Sequence, residues 1–314
     1  MFGFALSRIV HRIVHLRQMY PKTTIWIRKE DAKSAYRRVH FSASMAFKTA
    51  VQLTIADVNY ILLSLRLPFG GSPCPPEFCL ISDVMTDTIN DLLACVHWDP
   101  TEMRSDYVAK IPPPIRLSET IPFATAEETS VPNLEGGKCS ADMFIDNIIT
   151  VGADIGDNLH RITAGPCTVM HAMAHKNSTK NFIPRQDIIA EDKNDAEGAP
   201  AEEKIVLGWN LNTRSLLIKL PPHKFKAWSS QLLSFLHRKS TNSKDIQSLL
   251  GRLENVATII PMFGHFLNNI RQTEIRATAS GRNQMINRRT HEDLKLAQLF
   301  LNKAHAGVSM NLLT

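Results

Sequence analysis

Two acidic residues have the type and the setting needed to hold a metal ion. Asp146 stands before Asn147 inside a short apolar run, Met143–Val151, which small and charged residues bound on both sides. Such a run predicts a hairpin of two short strands with Asp146 at its tip. For an acid and an amide alone, a surface hairpin with a polar turn is the more common interpretation.

The second acid, Asp31, ends an alternating stretch that begins at Ile25, and the pattern predicts a strand over 24–29. Carboxylate oxygens are ligands that magnesium prefers, and the ion takes only a few of them. Two acids that are far apart in sequence can supply these ligands when neighbouring strands bring them together. Asp31 and Asp146 are of the right type for this role, and neither stretch by itself specifies that their strands are neighbours.

The segments around Asp31 are predicted to be helical. Residues 5–19 have an apolar face that leads into the strand, which favours a structural helix, although the basic start of the chain also fits a mitochondrial transit peptide. Residues 32–66 are predicted to be mostly helical. Their candidate core residues are Phe47, Val51, Leu53, Ile55, Val58, Ile61, Leu62 and Leu65.

Further along, a Gly- and Pro-rich turn leads into an apolar helix over 78–94, and residues 97–141 lack periodicity. A helix is predicted over 157–175, and the acidic residues 187–203 predict a linker or an exposed loop. The predicted elements that follow are a strand over 205–209, a turn over 210–214, a strand over 215–220 and helices over 223–238, 243–270 and 291–305.

Four stretches occur in the order that is typical of reverse transcriptases. They are Asp31 followed by Ala35-Tyr36, the loop Leu67-Pro68-Phe69-Gly70, the hairpin Phe144-Ile145-Asp146-Asn147 and the turn Val206-Leu207-Gly208-Trp209. In these stretches the chain resembles the palm of a reverse transcriptase from a retrotransposon of the tyrosine-recombinase or a related type. The helix Gln247–Leu253 resembles the thumb, so that the resemblance covers nearly the whole chain.

The resemblance implies an α+β fold, in which a small antiparallel sheet backed by helices forms the palm and a helical thumb follows. Residues 1–222 would form the palm, with an insertion near 97–141 and an acidic linker near 187–203. Residues 223–314 would form the thumb or connection region. The implied activity is RNA-directed DNA synthesis, in which a nucleotidyl group passes from a dNTP to the 3′-hydroxyl of a primer. This class of nucleotidyltransferase uses two divalent ions, Mg²⁺ or Mn²⁺.

The resemblance also assigns roles to particular residues. Asp31 and Asp146 would bind the metal, and Asn147 would complete the catalytic set. The nucleotide pocket would contain Ala32, Tyr36, Phe69 and Gly70, with the Tyr36 ring excluding a 2′-hydroxyl. The primer grip would be Leu207, Gly208 and Trp209. Candidate phosphate contacts in the thumb are Lys224, Lys226, Arg238, Lys239 and Arg252.

The chain departs from the family pattern in two ways. Asn147 stands where the family has a second aspartate, which removes a negative charge from the metal site and should lower magnesium affinity. Only about two dozen residues precede the strand that carries Asp31, so the basic fingers that normally hold the triphosphate are not found there. The chain therefore looks like an excerpt of a longer retroelement polyprotein, or like a degenerate genomic copy.

Charge and composition agree with a nucleic-acid partner. Residues 204–314 contain 16 Lys and Arg against 5 Asp and Glu, whereas residues 1–203 contain 20 against 25. A basic part can grip a primer–template of RNA or DNA while an acidic part collects metal ions, although a solvated helical surface explains the charge as well. No apolar run approaches the roughly 18 residues of a membrane span, and no membrane partner is expected.

The five cysteines are scattered, without a CxxC pair, which indicates reduced thiols in an intracellular protein. Two other function classes stay open. One is an inactive relic that binds nucleic acid without chemistry, which Asn147 and the missing fingers favour. The other is a viral RNA-templated RNA polymerase, which Tyr36 argues against because such enzymes must admit the 2′-hydroxyl.

Overall fold

The computed structural model describes residues 4–68, 74–103, 106–127, 137–174 and 187–314. They belong to two compact units, Met1–Glu202 and Glu203–Thr314. The expected α+β class is confirmed, since small antiparallel sheets are backed by helices. Among the described residues, no helix has both the length and the apolar character needed to cross a membrane.

The first unit contains strands of five to seven residues and helices of very different length. Its elements are α1 (Ala5–Met19), β1 (Ile25–Asp31), α2 (Ala43–Lys48), β2 (Val51–Ile55), β3 (Val58–Leu62), α3 (Cys74–Ala94), α4 (Asp106–Ala109), β4 (Cys139–Phe144), β5 (Asn147–Ala153), α5 (Asn158–Ala174) and α6 (Glu191–Glu197). Short 3₁₀ helices span Ala35–Arg38 and Pro100–Glu102.

The central sheet of this unit has the antiparallel order β1-β5-β4. Its middle strand is covered on both faces. Ile149 and Val151 lie on the side of α1, whereas the Thr150 hydroxyl donates to the Ile162 carbonyl of α5 at 3.1 Å. A strand buried on both faces is apolar at successive positions, which explains the apolar run in the sequence. The register pairs Asp31 with Asn147, so that the end of β1 meets the β4–β5 turn.

The expectation of a mostly helical segment over 32–66 is wrong. After α2, the chain forms the hairpin β2–β3, whose turn residues Ala56 and Asp57 both have positive φ. Val, Ile and Thr side chains are stiff at χ1 and favour strands over helices. The predicted core residues here are exposed: Phe47, Val51, Leu53, Ile55, Val58, Ile61, Leu62 and Leu65.

The segment 187–203, predicted to be a linker or an exposed loop, is packed against β1. The Lys33 amide donates to the Ile188 carbonyl at 2.6 Å, and Ile27 pairs with Ala201 through two backbone hydrogen bonds of 2.9 Å. Ile188, Ile189 and Ala201 are buried. The acidic composition reflects the outer face of α6, and the apolar residues on either side of that helix attach it to the sheet.

The second unit combines a four-stranded sheet with helices. Its elements are β6 (Glu203–Val206), β7 (Trp209–Asn212), β8 (Leu217–Lys219), α7 (Pro222–His237), β9 (Ser240–Thr241), α8 (Ser243–Ala257), α9 (Asn268–Ser280), β10 (Gln284–Met285), α10 (Arg288–Ala306) and β11 (Val308–Ser309), with 3₁₀ helices at Pro261–Leu267 and Met310–Leu313. The sheet order is β11-β8-β7-β6.

Helix α8 begins where the Asn242 side chain accepts a hydrogen bond from the Asp245 amide at 2.8 Å, which is an N-cap. Its predicted apolar face is confirmed, because Ile246, Leu249, Leu250, Leu253 and Val256 are buried. The single helix predicted over 243–270 is instead two helices. Pro261 disfavours the helical conformation of the residue before it, and the chain turns there.

Candidate active site

The described structure brings Asp31 and Asp146 together at one end of the central sheet. Asp31 is the last residue of β1, and Asp146 lies in the β4–β5 turn, where the Ile145 φ of +58° allows the tight reversal. The Ala32 amide donates to the Asp146 carbonyl at 2.8 Å. The predicted hairpin with Asp146 at its tip is therefore confirmed, and the tip is fixed against the end of β1.

The two carboxylates influence each other electrostatically. Burial raises the pKa of Asp146, and the nearby charge of Asp31 raises it further. Asn147 opposes this rise because its Nδ2 donates to Asp146 Oδ1 at 3.0 Å. Lys193 of α6 also opposes it, and its Nζ lies 3.4 Å from Asp31 Oδ2. The site thus consists of two acids, an amide that contacts one of them and an ammonium that contacts the other.

This donor set fits one hard divalent ion. Within the described ranges, no group of three or more His, Cys, Asp and Glu side chains is placed to hold a metal. Magnesium is often bound by one or two carboxylates, with substrate phosphates and water as its other ligands. Asp31 and Asp146 meet that need for one ion, while Asn147 offers an amide in place of a third carboxylate.

Tyr36 lies in the 3₁₀ helix that follows β1. Its ring packs edge-on against Phe78 of α3, with the centroids 5.5 Å apart. Burial raises the pKa of Tyr36, and the charge of Asp146 raises it further. Tyr36 therefore packs as a core residue would, and it also responds to the charge of Asp146. Phe69 and Gly70, the other predicted pocket residues, lie outside the described residues.

Ala32, the remaining predicted pocket residue, lies directly after Asp31. It is buried, and it forms an isolated antiparallel bridge with Ile189. The backbone on both sides of Asp31 is therefore held, on one side by β5 and on the other by the segment that leads into α6.

A buried ion pair, which the sequence interpretation missed, attaches α6 to β1. Arg28 Nη1 lies 2.7 Å from Glu30 Oε2, and both side chains are almost fully buried. The Arg28 guanidinium also donates to Asn194 Oδ1 of α6 at 3.1 Å and to the Gly198 carbonyl at 3.2 Å. Two opposite charges two residues apart, and so on the same face of the predicted strand, were the available signal.

Lys193 was missed as well. It is the single basic residue in the acidic stretch 187–203, and an isolated lysine among acids usually belongs to a solvated face. Its contact with Asp31 depends on the packing of α6 against β1, which joins segments that are far apart in sequence.

A cavity of about 630 Å³ lies elsewhere in this unit, between α1, α3 and β4. Its walls carry charges of both signs, and the Arg8 guanidinium pairs with Asp142 on its rim. Neither Asp31 nor Asp146 lines it. The carboxylate pair lies at the end of the sheet, outside that cavity.

In the second unit, the predicted primer-grip residues form a tight turn. Leu207 and Gly208 both have positive φ and connect β6 with β7, as in the type I′ turns of two-residue hairpins. The strand predicted over 205–209 and the turn predicted over 210–214 are therefore wrong, since the first reversal occurs at 207–208. Trp209 is buried, and Lys224 Nζ donates to the Gly208 carbonyl at 3.0 Å.

The predicted phosphate contacts of this unit differ in exposure. Lys226, Arg238 and Lys239 are exposed, whereas Lys224 and Arg252 are half-buried. Arg238 pairs with Asp245 at 2.7 Å. Burial lowers the pKa of Lys224. The contacts of these five residues with a nucleic acid stay a prediction. Lys224 also has a structural partner, the Gly208 carbonyl in the turn.

No protein-family model and no curated protein sequence matches the chain. Solved structures of other proteins do match it. A foamy viral protease-reverse transcriptase, the dRH form in complex with double-stranded DNA, matches with a TM-score of 0.51 and 12% identity over 92% of this chain and 36% of that one. A foamy viral protease-reverse transcriptase in complex with an RNA/DNA hybrid matches with a TM-score of 0.49 and 12% identity over 93% and 29%.

At 12% identity, the first of these matches shows that the two chains have a similar fold and shows nothing about activity. The chain has an α+β fold like that of a reverse transcriptase. It spans about a third of the length of the solved chains that it matches.

Proposed function

We propose that this chain is the RNA-directed DNA polymerase domain of a retroelement of the tyrosine-recombinase or a related type. The reaction would transfer a nucleotidyl group from a dNTP to the 3′-hydroxyl of a primer. The observation that carries the proposal is the Asp31–Asp146 pair, which two antiparallel strands hold at one end of the sheet in a fold like that of a reverse transcriptase. A small sheet of this kind needs no acids at its end for stability, and their mutual repulsion has a cost.

Asp31 and Asp146 would hold a divalent ion, Mg²⁺ or Mn²⁺. When bound, such an ion neutralises developing charge on the phosphoryl oxygens and positions the attacking and leaving groups. The residues of the chain supply the fixed geometry. The Ala32–Asp146 hydrogen bond and the pairing of β1 with β5 hold the two carboxylates in place before substrate arrives.

Tyr36 would select the sugar. Its ring packs edge-on against Phe78, and the charge of Asp146 acts on its phenol, which supports a place for this aromatic side chain beside the nucleotide. A ring in that position leaves no room for a 2′-hydroxyl and would favour dNTPs over ribonucleotides. Phe69 and Gly70 would complete the pocket.

The second unit would bind the primer–template, which we propose to be RNA or DNA carrying a primer. Residues 204–314 have a large excess of basic over acidic side chains, and such a surface binds phosphates without reading the sequence. Leu207, Gly208 and Trp209 would press on the primer end. Other domains of a retroelement polyprotein would be its further partners.

A second candidate is a protein of the same fold that binds nucleic acid without chemistry. Asn147 favours it, because an amide at this position removes one negative charge from the site and its Nδ2 is used on Asp146. This candidate predicts salt-sensitive binding to a primer–template and no incorporation of nucleotides.

Primer extension separates the two candidates. The purified chain would receive poly(rA)/oligo(dT), Mg²⁺ or Mn²⁺ and labelled dTTP, beside the variants Asn147→Asp, Asp31→Ala and Asp146→Ala. We expect incorporation that Asn147→Asp increases and that either alanine variant abolishes. Binding of the same primer–template would be measured in parallel at two salt concentrations. Activity that survives in Asp146→Ala contradicts the metal assignment, and binding without incorporation in every form supports the second candidate.

A further inference from the structure

We propose that Lys193 is a built-in competitor of the divalent ion, so that its ammonium covers Asp31 until a metal displaces it. The inference rests on the proposed function and describes how the same site is regulated. It concerns a residue of α6, a segment to which the sequence interpretation gave no role.

The contact is an ion pair between groups of very different exposure. Lys193 Nζ lies 3.4 Å from Asp31 Oδ2, and the Asp31 side chain is 5% exposed while that of Lys193 is 62% exposed. The Lys193 charge also acts on Asp146. The ammonium therefore lies on the solvent side of the buried carboxylate and acts on both members of the pair.

The position of Lys193 is set by the fold. The neighbouring residue, Asn194, is buried and accepts a hydrogen bond from the buried Arg28. Lys29 pairs with Glu197 at the far end of α6. The Ala190 amide donates to the Asp31 carbonyl at 3.3 Å, directly before the helix begins. Three residues of one short segment thus attach it to β1, and Lys193 stands between two of these attachments.

An ammonium and a divalent ion cannot share the Asp31 carboxylate at low cost. A magnesium ion binds carboxylate oxygens at about 2.1 Å, which would bring its two positive charges close to an ammonium that lies 3.4 Å from the same group. Like charges at such separations repel strongly. The long, exposed lysine side chain can swing away, so metal binding would require that the ion pair opens.

Asn147 increases the effect of this competition. With two carboxylates and one ammonium, the site has a net charge of about −1, whereas a third carboxylate would restore a stronger attraction for the metal. We therefore expect weak binding of a free ion. Binding would improve when the ion arrives with the phosphates of a substrate, because their negative charge also attracts the displaced ammonium.

The test is a Mn²⁺ titration of the full chain, in which free Mn²⁺ is measured by electron paramagnetic resonance without any nucleotide. Mn²⁺ can also bind elsewhere on the acidic surface, so only the component of binding that Asp31→Asn abolishes is analysed. Lys193→Met should lower the Kd of that component about five- to tenfold, which is the size expected when an exposed charge pair is lost and a charge repulsion is removed.

Two matched variants serve as controls. Lys193→Arg keeps a cation on α6 and should bind Mn²⁺ as the unmodified chain does. Lys48→Met removes an exposed lysine at the end of α2, far along the chain from α6, and should leave the Kd unchanged. A gain that appears with Lys48→Met as well would mean that overall charge, and not the Asp31 contact, controls the metal.

The outcomes distinguish this inference from the proposed function. An Asp31-dependent component with the same Kd in Lys193→Met and in the unmodified chain overturns the role of Lys193 and leaves the proposed polymerase standing. No Asp31-dependent component in any form, Lys193→Met included, overturns the metal site and the proposed polymerase together. Tighter binding in Lys193→Met alone supports both.

Discussion

Replacing Glu30 by alanine removes the charged partner of a buried arginine and should destabilise the first unit strongly. Both side chains of the Arg28–Glu30 pair are almost fully buried, at 0% and 1% exposure. Burial acts to lower the pKa of Arg28, but the charge of Glu30 and its hydrogen bond to the guanidinium act the other way and the pKa is raised, so the guanidinium stays charged. Glu30→Ala would leave that charge inside the protein.

The size of the effect follows from what remains around Arg28. Breaking a buried ion pair from one side usually costs about 3–5 kcal/mol of unfolding free energy. Arg28 keeps hydrogen bonds to Asn194 Oδ1 and to the Gly198 carbonyl, which soften the loss. Cys167 Sγ, 3.3 Å from Glu30 Oε1, loses a partner at the same time. We therefore expect a value near the lower end, about 3 kcal/mol.

The assay must report on the first unit separately, because the chain contains two units. Urea unfolding followed by pulsed hydrogen exchange and mass spectrometry does so, with peptides from β1 for the first unit and from α8 for the second. With an m-value of about 2–3 kcal/mol per molar urea, the midpoint of the β1 peptides should fall by about 1–1.5 M. The midpoint of the α8 peptides should not move.

Two control variants separate the charge from other effects. Lys29→Ala breaks the more exposed Lys29–Glu197 pair and should cost less than about 1 kcal/mol. The double variant Arg28→Met with Glu30→Leu removes both charges and should be less destabilised than Glu30→Ala. The reasoning is refuted if Glu30→Ala shifts the β1 midpoint no further than Lys29→Ala, or if the double variant is the least stable of the three.

Three further predictions test the turn, the sugar selection and the acid pair. Gly208→Ala should destabilise the second unit by about 1–2 kcal/mol, because φ is +86° and a new Cβ would meet Lys224 Nζ; an unchanged α8 midpoint would mean that the turn is wrongly described. Tyr36→Ala should raise ribonucleotide use relative to dNTP use roughly tenfold or more in primer extension, and an unchanged ratio would remove Tyr36 from the pocket. The folded pKa of Asp146 is raised by burial and by Asp31, so its contribution to stability is full at pH below the ordinary aspartate pKa of 3.8 and is lost as the pH rises through the raised value. Asp146→Asn should remove that loss and stabilise the first unit at neutral pH, as read from β1 midpoints over a pH series; equal pH slopes would contradict the shift.

The parts of the fold that were predicted correctly are those with strong local signals. The apolar face of α1 follows the helical period, the apolar run around Asp146 is bounded by small and charged residues, and both elements were confirmed. The segment 32–66 has no such signal, because Val51–Leu62 forms an exposed hairpin whose turn, Ala56-Asp57, lacks the Asn-Gly or Asp-Gly pair that usually marks this geometry. Exposed apolar strands contradict the usual link between hydrophobicity and burial, and the sequence interpretation followed that link.

The candidate site was predictable only in part, for the same physical reason. The pairing of Asp31 with Asp146 came from a resemblance, since nothing local in either stretch specifies that β1 lies beside β5. Lys193 and Arg28 depend on how α6 packs on β1, and the acidic composition of α6 indicated solvent instead. Contacts between distant segments are fixed by tertiary packing, which the propensities of single segments do not contain.

Asn147 is where stability and the proposed chemistry oppose each other. The register places Asn147 directly opposite Asp31, and side chains opposite each other in an antiparallel pair lie about 4.5–5.5 Å apart at Cβ, on the same face. A second aspartate there would add a negative charge beside two carboxylates, one of which already has a raised pKa. The amide avoids that repulsion and donates a hydrogen bond to Asp146. Among the described side chains, the amide and the Lys193 ammonium therefore offset the charge of the acid pair, and the same two groups would oppose the ion that the proposed catalysis requires.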